Sequence, residues 1–353
     1  MNTFVIAEIG INHNNSLDNC FTLISAAAEA GCQAAKFQMF SAAQLYPKSA
    51  GQLDWQDGTK KYSYNIFDAV KGFELPLQWI DPLMSYCHEK KIGFMSSVFD
   101  RHGLEYLVKK GIKRIKLSSY TITNIPLIKA VAETGLPIIM STGGATLAET
   151  EKAVEIVTRI HNKLALLHCS IQYPTELTDC NMGVLKTLQF AFPGIKTGYS
   201  DHTAEVSAAP VQSVYLGGSI VEKHITLDKT MKGPDHFFAL EPYELKIMTN
   251  AIQKAETDVA RGEFCIDDRI FGSSAKMCHD NETYLRNFCY MTLFASRDIT
   301  GGEIIKPEDI AILRPGKKER GLEPEFLYLF EKKSVVAKKD IQCEDPITWD
   351  VII

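Results

Sequence analysis

The chain has 353 residues, enough for one large hydrophobic core and a small second domain. Hydrophobic residues make up 45% and charged residues 23%, an ordinary globular balance, and no apolar run approaches the ~20 residues of a membrane span. The formal net charge of −5 argues against a nucleic-acid binder but leaves room for an anionic small molecule, because a few lysines set the field inside a cleft.

The N-terminus, Met1 to Ala7, carries neither a basic start nor a cleavage site and runs directly into a strand-like segment, so a cytoplasmic protein is expected. The strand expectations, in chain order, are Phe4–Gly10, Gln33–Gln38, Gly93–Val98, Arg114–Ser118, Pro137–Ser141, Leu164–Ser170, Thr197–Ser200 and Ser219–Ile225. Amphipathic helical patterns separate them. The clearest are Asp18–Ala30 and Thr146–Ile160, with Ser16 and Thr146 as capping residues. Near-continuous apolar strands alternating with helices predict an α/β protein built on a parallel TIM (β/α)8 barrel. A doubly wound open sheet is the alternative, but the first strand ends Glu8-Ile-Gly-Ile-Asn-His13 and lacks a glycine-rich dinucleotide turn.

The helical rhythm stops after Ala260. Residues 1–262 are read as the barrel, 263–287 as a polar linker, and 288–353 as a small mostly-β module of short strands punctuated by Gly301-Gly302 and Pro315-Gly316. The nine cysteines are scattered and contain no C-x-x-C pair, which points to reduced thiols; Cys169 is read as a packing residue.

In a barrel, polar residues at strand C-termini converge on one mouth. The first four strands bring Glu8, Asn12 and His13; Lys36 and Gln38; Ser96 and Ser97; and Lys116, Ser118 and Ser119. The last four bring Ser141 and Thr142 ahead of Gly143-Gly144; His168, Ser170, Gln172 and Tyr173; Ser200, Asp201 and His202; and Glu222 and His224. Side chains alternate along a strand, so Glu222 and His224 share a face, as do Ser200 and His202. The lysines, hydroxyls and the Gly-Gly helix entrance suit an anion, and two histidines with room for water suit a divalent ion. A bland reading stands beside each. Strand-end histidines are often structural, Lys36 and Lys116 can be salt-bridge residues, and Asp235 with His236 can be turn residues after Gly233-Pro234. Lys116 also suits a Schiff-base aldolase, and a non-catalytic sugar-binding protein is a further reading.

Taken together, Glu8-Ile-Gly-Ile-Asn-His13, Lys36-Phe-Gln38, Ser141-Thr-Gly143, His168-Cys169 with Tyr173-Pro-Thr175, Gly198-Tyr-Ser-Asp-His-Thr203, Glu222-Lys-His224 and Gly233-Pro-Asp235 resemble the sialic acid synthases. That family includes the N-acetylneuraminate, legionaminate and pseudaminate synthases. The tail is similar to the antifreeze-like (SAF) domain through Ala295-Ser-Arg-Asp-Ile299, Gly302-Glu-Ile-Ile305, Asp309-Ile310 and Arg314-Pro-Gly316, and the match runs through both domains in order.

The resemblance implies a TIM barrel with an SAF domain, in a homodimer whose SAF domain covers the partner's active site. It implies condensation of phosphoenolpyruvate with the open-chain aldehyde of an acylated amino sugar, phosphate release, and a divalent metal, Mn2+ or Mg2+. Carried over by position, Glu8, His202 and His224 would be catalytic, the two histidines holding the metal. Lys36, Ser97, Lys116, Ser119, Ser141 and Ser200 would bind phosphoenolpyruvate. Tyr173 and Asp235 would contact the sugar, Glu222 would stand beside metal and substrate, and Arg314 would reach in from the SAF domain. The chain departs from the family pattern at Thr121, where an acid is common, and at Ile171, where the neuraminate synthases have asparagine. Read as lost sugar contacts, these changes predict that N-acetylmannosamine is not the best acceptor.

Overall fold

The structure is a computed structural model that describes residues 3–57, 60–332 and 334–353. Met1 and Asn2, part of the N-terminal reading above, lie outside the described residues. The strands, in chain order, are β1 (Phe4–Gly10), β2 (Ala34–Met39), β3 (Gln52–Asp57), β4 (Lys60–Asn65), β5 (Gly93–Val98), β6 (Ile115–Leu117), β7 (Ile138–Ser141), β8 (Leu164–Cys169), β9 (Lys196–Asp201), β10 (Ile220–His224), β11 (Thr292–Ala295) and β12 (Ile310–Leu313). Eight of them close into one barrel in the order β1-β10-β9-β8-β7-β6-β5-β2, and every pairing is parallel. The TIM barrel is therefore as expected, each strand lying within a residue or two of its anticipated ends. The antiparallel β3–β4 hairpin, inserted after β2, was not anticipated.

Local chemistry accounts for the helices. Ser16 caps Leu17–Ala30 by accepting from the Asn19 amide, and Gly31 ends it with a left-handed backbone at φ 91°. Thr146 and Glu149 cap Leu147–Thr158 reciprocally. Outward barrel residues such as Val5, Ala7, Phe37, Leu117, Met140 and Leu166 pack with the inner faces of these helices into the main core.

The barrel interior carries a second, smaller core. Ile6, Ala34, Met95, Ile139, Ala165, Leu167 and Ile220 fill it from inside, with Phe4 packed beneath. This apolar floor fixes the depth of everything above it. Two residues further along six of the strands, the pleat returns the chain to the same face at Glu8, Lys36, Ser97, Ser141, Cys169 and Glu222.

The C-terminal segment forms a β module with its own core of Leu293, Ala295, Ile299, Ile305, Leu322, Phe330, Val335, Ala337, Ile341, Ile347, Val351 and Ile352. It docks on its own barrel. The Arg314, Gly316 and Lys317 amides donate to the carbonyls of Leu45, Phe288 and Ala50, over an apolar seam that includes Phe40, Leu45, Tyr46, Phe99 and Met291. The 263–287 stretch read as a linker carries the helix Asp268–Phe271 and the start of Thr283–Cys289, and it buries Lys276 and Glu282. Among the described residues, no helix is long and apolar enough to cross a membrane.

On the outward side of β10, Lys223 is fully buried. Its ammonium donates to Asp201 Oδ2 (2.6 Å) and to the carbonyls of Thr203 (2.6 Å) and Glu205 (3.0 Å), bracketing His202. Replacing one partner of such a pair strands a buried charge. Lys223→Met is therefore expected to lower the unfolding free energy by about 3 kcal/mol in urea titrations. A loss under about 1 kcal/mol would show that the pair is dispensable.

Candidate active site

Above the apolar floor lies a layer of buried charge. Lys36 Nζ stands 2.7 Å from Glu8 Oε2 and 3.5 Å from Glu222 Oε1, and Lys116 Nζ stands 3.7 Å from the same Glu222 oxygen. Lys36 donates to Ser97 Oγ (3.1 Å), Lys116 to Ser141 Oγ (2.6 Å), Ser200 to Glu222 Oε1 (3.1 Å) and Gln38 to Glu8 Oε1 (2.7 Å). Strand register sets this up. Glu8 pairs with Lys36 on one side and His224 on the other, Ser97 pairs with Lys116, and Ser200 pairs with Glu222.

Burial and neighbouring charge pull these groups apart. Burial raises the Glu8 carboxyl, with Lys36 opposing and Glu222 assisting. Burial pushes Glu222 up too, but Lys116 and Lys36 outweigh it, so that carboxyl ends below its usual range. Burial works against the Lys36 ammonium, yet Glu222 and Glu8 hold it above the usual value. Lys116 ends below it, because burial prevails over Glu222. Glu222 is thus the settled anion of the layer and Glu8 the carboxyl nearer to taking up a proton.

One layer higher are the two histidines, their ring centroids 5.4 Å apart. His202 Nδ1 lies 2.8 Å from the Ser170 carbonyl, an arrangement that leaves Nε2 as the lone-pair nitrogen when Nδ1 carries the proton. His224 Nδ1 is buried with no hydrogen-bond partner among the described residues, and Asp235 Oδ2 stands 3.6 Å away. Burial pushes His202 down to about 4 and His224 well below its ordinary value, so both rings are neutral. Phe238 packs on both rings, and Tyr173 lies against His202 at 4.2 Å. Burial, with Glu8 assisting, raises Asp235 to about 7.

All the residues carried over from sequence, Glu8, Lys36, Ser97, Lys116, Ser119, Ser141, Tyr173, Ser200, His202, Glu222, His224, Asp235 and Arg314, line one cavity of about 580 Å³. Arg314 reaches this cavity from the C-terminal module of the same chain. Its guanidinium sits over the rings of Tyr120 (4.9 Å), Phe99 (5.2 Å) and Tyr46 (5.7 Å), and Tyr120 donates to the Tyr173 hydroxyl. This aromatic cage was missed from sequence. Its members come from three separate loops, and no local pattern links them.

Several readings are corrected. Neither Thr121 nor Ile171 lines the cavity. The Thr121 hydroxyl is spent on the Ser118 carbonyl, and Ile171 packs behind the site against Gly143 and Gly144, so in this chain neither side chain is presented to the cavity. The Gly143-Gly144 entrance offers no free amides either, since Gly143 N donates to Ser119 Oγ and Gly144 N to Glu282. His168 is structural, with Nε2 2.7 Å from the Cys180 carbonyl, and His236 bridges Thr226 and Asn14. Burial pushes the Cys169 thiol up to about 12, in keeping with a packing role.

A mouth built this way, with cations and hydroxyls at the base and neutral nitrogens at the rim, is that of a barrel enzyme acting on a small anion together with a polar co-substrate. The profile of the NeuB family matches residues 23–264, and the chain belongs to that family. It is 40% identical over 352 residues to the spore coat polysaccharide biosynthesis protein SpsE of Bacillus subtilis, covering 99% of this chain and 93% of that one. The crystal structure of the Bacillus subtilis protein superposes with a TM-score of 0.88 at 39% identity, covering 100% of this chain and 95% of the other. The N,N'-diacetyllegionaminic acid synthase of Legionella pneumophila is 35% identical over 321 residues, 90% of this chain and 86% of that enzyme. A crystal structure of N-acetylneuraminic acid (sialic acid) synthetase from Leptospira borgpetersenii in complex with citrate has a TM-score of 0.67 at 30% identity, over 76% of this chain and 88% of that chain.

Burial also holds His13 at about 4 and His168 at about 3, so with His202 they stay neutral in the fold where free imidazoles titrate at 6.5. Between those values the unfolded chain binds more protons than the folded one. Stability should therefore fall as pH drops from about 6.5 towards 4, by about 1.4 kcal/mol per pH unit for each such histidine. Urea titrations between about pH 7 and pH 5 measure this, and a flat profile would contradict the assigned neutrality.

Proposed function

We propose that the chain condenses phosphoenolpyruvate with the open-chain aldehyde of an N-acylated amino sugar, giving a nonulosonic acid and inorganic phosphate. The observation that carries this reading is the single cavity in which two buried lysines and their serine hydroxyls lie below a pair of neutral histidines. Family membership and relatives named as legionaminic and pseudaminic acid synthases support it.

Lys36, Lys116, Ser97, Ser119, Ser141 and Ser200 bind the phosphate and carboxylate of phosphoenolpyruvate, two anionic groups suited to clustered donors. Its methylene carbon bonds to the aldehyde carbon, and the aldehyde oxygen takes a proton. Water then adds at C2, the C2–O bond to phosphate breaks, and a C2 ketone remains. Glu8, raised towards neutrality, moves the proton at the aldehyde oxygen or at the attacking water. Tyr173, Asp235 and Arg314 orient the sugar, while the docked C-terminal module excludes water from the chemistry.

His202 and His224 fit a divalent ion. The His224 Nδ1 has no hydrogen-bond partner among the described residues, His202 is oriented by a carbonyl, and burial favours the neutral form of both. Among the described residues no set of three His, Cys, Asp or Glu converges as a metal site, so the remaining positions fall to substrate and water, as in open catalytic centres. When bound, Mn2+ or Mg2+ supplies Lewis-acid polarisation of a carbonyl. Soluble cytoplasmic operation and a homodimer complete the proposal, the dimer resting on family resemblance alone.

Phosphate release from phosphoenolpyruvate should require an N-acylated amino sugar, stop in EDTA and return with manganese or magnesium; release that needs no sugar would sink the reading. Lys116→Ala should cut kcat/KM for phosphoenolpyruvate about 100-fold, and Glu8→Gln should lower kcat about 100-fold with little change in that KM. Borohydride should trap no carbonyl adduct on Lys116; a trapped adduct would favour the aldolase reading instead.

A further inference from the structure

The polar segment between barrel and β module grips the turn that follows β7. Every carbonyl from Thr142 to Ala145 receives a donor from this segment or from Tyr290 just beyond it. Lys276 Nζ donates to Thr142 O (2.6 Å) and to Ala145 O, the Tyr290 hydroxyl donates to Gly143 O (2.6 Å), and Arg286 donates to Gly144 O. Glu282, only 3% exposed, answers from the acceptor side. Its Oε1 takes the amides of Gly144 and Ile171, both at 3.0 Å, and its Oε2 takes the amide of His279 at 3.0 Å. One carboxylate thus joins the turns after β7 and β8, two neighbouring strands of the barrel.

The turn itself leaves no slack. Gly144 has φ +68°, and a Cβ on it would lie 2.6 Å from Ile171 Cδ1; a Cβ on Gly143 would lie 2.8 Å from the Cys169 carbonyl. Ser141 and Ser119 hang from this turn. Ser141 ends β7 immediately before it and accepts from Lys116. Ser119 Oγ accepts the Gly143 amide at 2.9 Å, so its own O–H must point away from the turn. A carboxylate holding three backbone amides is a charge-assisted, buried restraint, and losing it leaves amides unpaired in the interior.

We infer that Glu282, with Lys276 and Tyr290, is a positioning device that presets the Ser119 and Ser141 hydroxyls for the anionic end of the substrate. It touches no substrate and acts through the Gly143-Gly144 turn. The inference rests on the assignment of those serines to phosphoenolpyruvate. It also gives the glycine pair and the apparent linker one shared purpose.

The test compares Glu282→Ala, Glu282→Gln and Tyr290→Phe with the full-length wild type. Calorimetric titration reads phosphoenolpyruvate and inorganic phosphate binding, and kinetics read KM for the amino sugar. Glu282→Ala should weaken both anions about 10-fold and leave the sugar KM within about 2-fold. Sodium formate, small enough to refill the vacated carboxylate position, should recover most of that loss in Glu282→Ala and none in Tyr290→Phe. Glu282→Gln keeps an acceptor oxygen and should lose about 3-fold, as should Tyr290→Phe, which keeps its ring; these two decide the matter if the alanine variant does not fold. Unchanged anion affinity in both milder variants would overturn the inference. So would a loss that tracks the sugar KM and thermal stability and ignores formate. A wild type that binds phosphate but not phosphoenolpyruvate would sink the substrate reading while the positioning role is still judged on phosphate; one that binds neither overturns both.

Discussion

Four charged side chains share the interior of one closed barrel, and none can be removed singly without stranding a neighbour in low dielectric. Glu222 is the centre of that arrangement, because both lysines face the same one of its oxygens. With Glu222 ionised and holding the lysines, Glu8 is left as the carboxyl whose proton affinity rises. The two carboxylates of the layer therefore differ, Glu222 held as the anion and Glu8 shifted towards the protonated form.

Depth in the barrel separates the chemical roles. Apolar side chains seal the base, the charged layer rests on them, and the histidines stand one pleat higher, where β9 and β10 open to the mouth. Burial lowers the proton affinity of both imidazoles, with Phe238 packed on both rings and Tyr173 on His202. The C-terminal module extends the same logic outward. Its docking on the Leu45 to Ala50 segment brings Arg314 into a cage of three rings, which holds the guanidinium with no acidic partner and an unpaired Nε among the described residues. A cation held by ring faces keeps its hydrogen-bond donors available for a neutral carbonyl or hydroxyl.

Much of this was legible in the chain. Near-continuous apolar strands with helices between them specify a parallel closed sheet, and period-two alternation then dictates which strand-end residues face inward. Glu8, Lys36, Ser97, Ser141 and Glu222 follow from that rule. Less was legible wherever function depends on contacts between distant segments. The stretch around Lys276 and Glu282 has no periodicity and reads as a connector, because its order comes from gripping backbone groups more than 130 positions away in sequence. Thr121 and Ile171 stand out in sequence as departures from the family pattern, but that both are fully buried behind the cavity is visible only in the fold.

By itself, then, the sequence determined the barrel, the inward face of each strand and the cluster of lysines, carboxylates and histidines at its mouth, since these depend on local periodicity and on residue type. Only the tertiary structure decided which histidines stay unpartnered, which carboxyl is left protonatable, and that Gly143-Gly144 is a clamped turn and no anion cradle. Those outcomes depend on distance and desolvation between segments far apart along the chain, which no spacing of residues encodes.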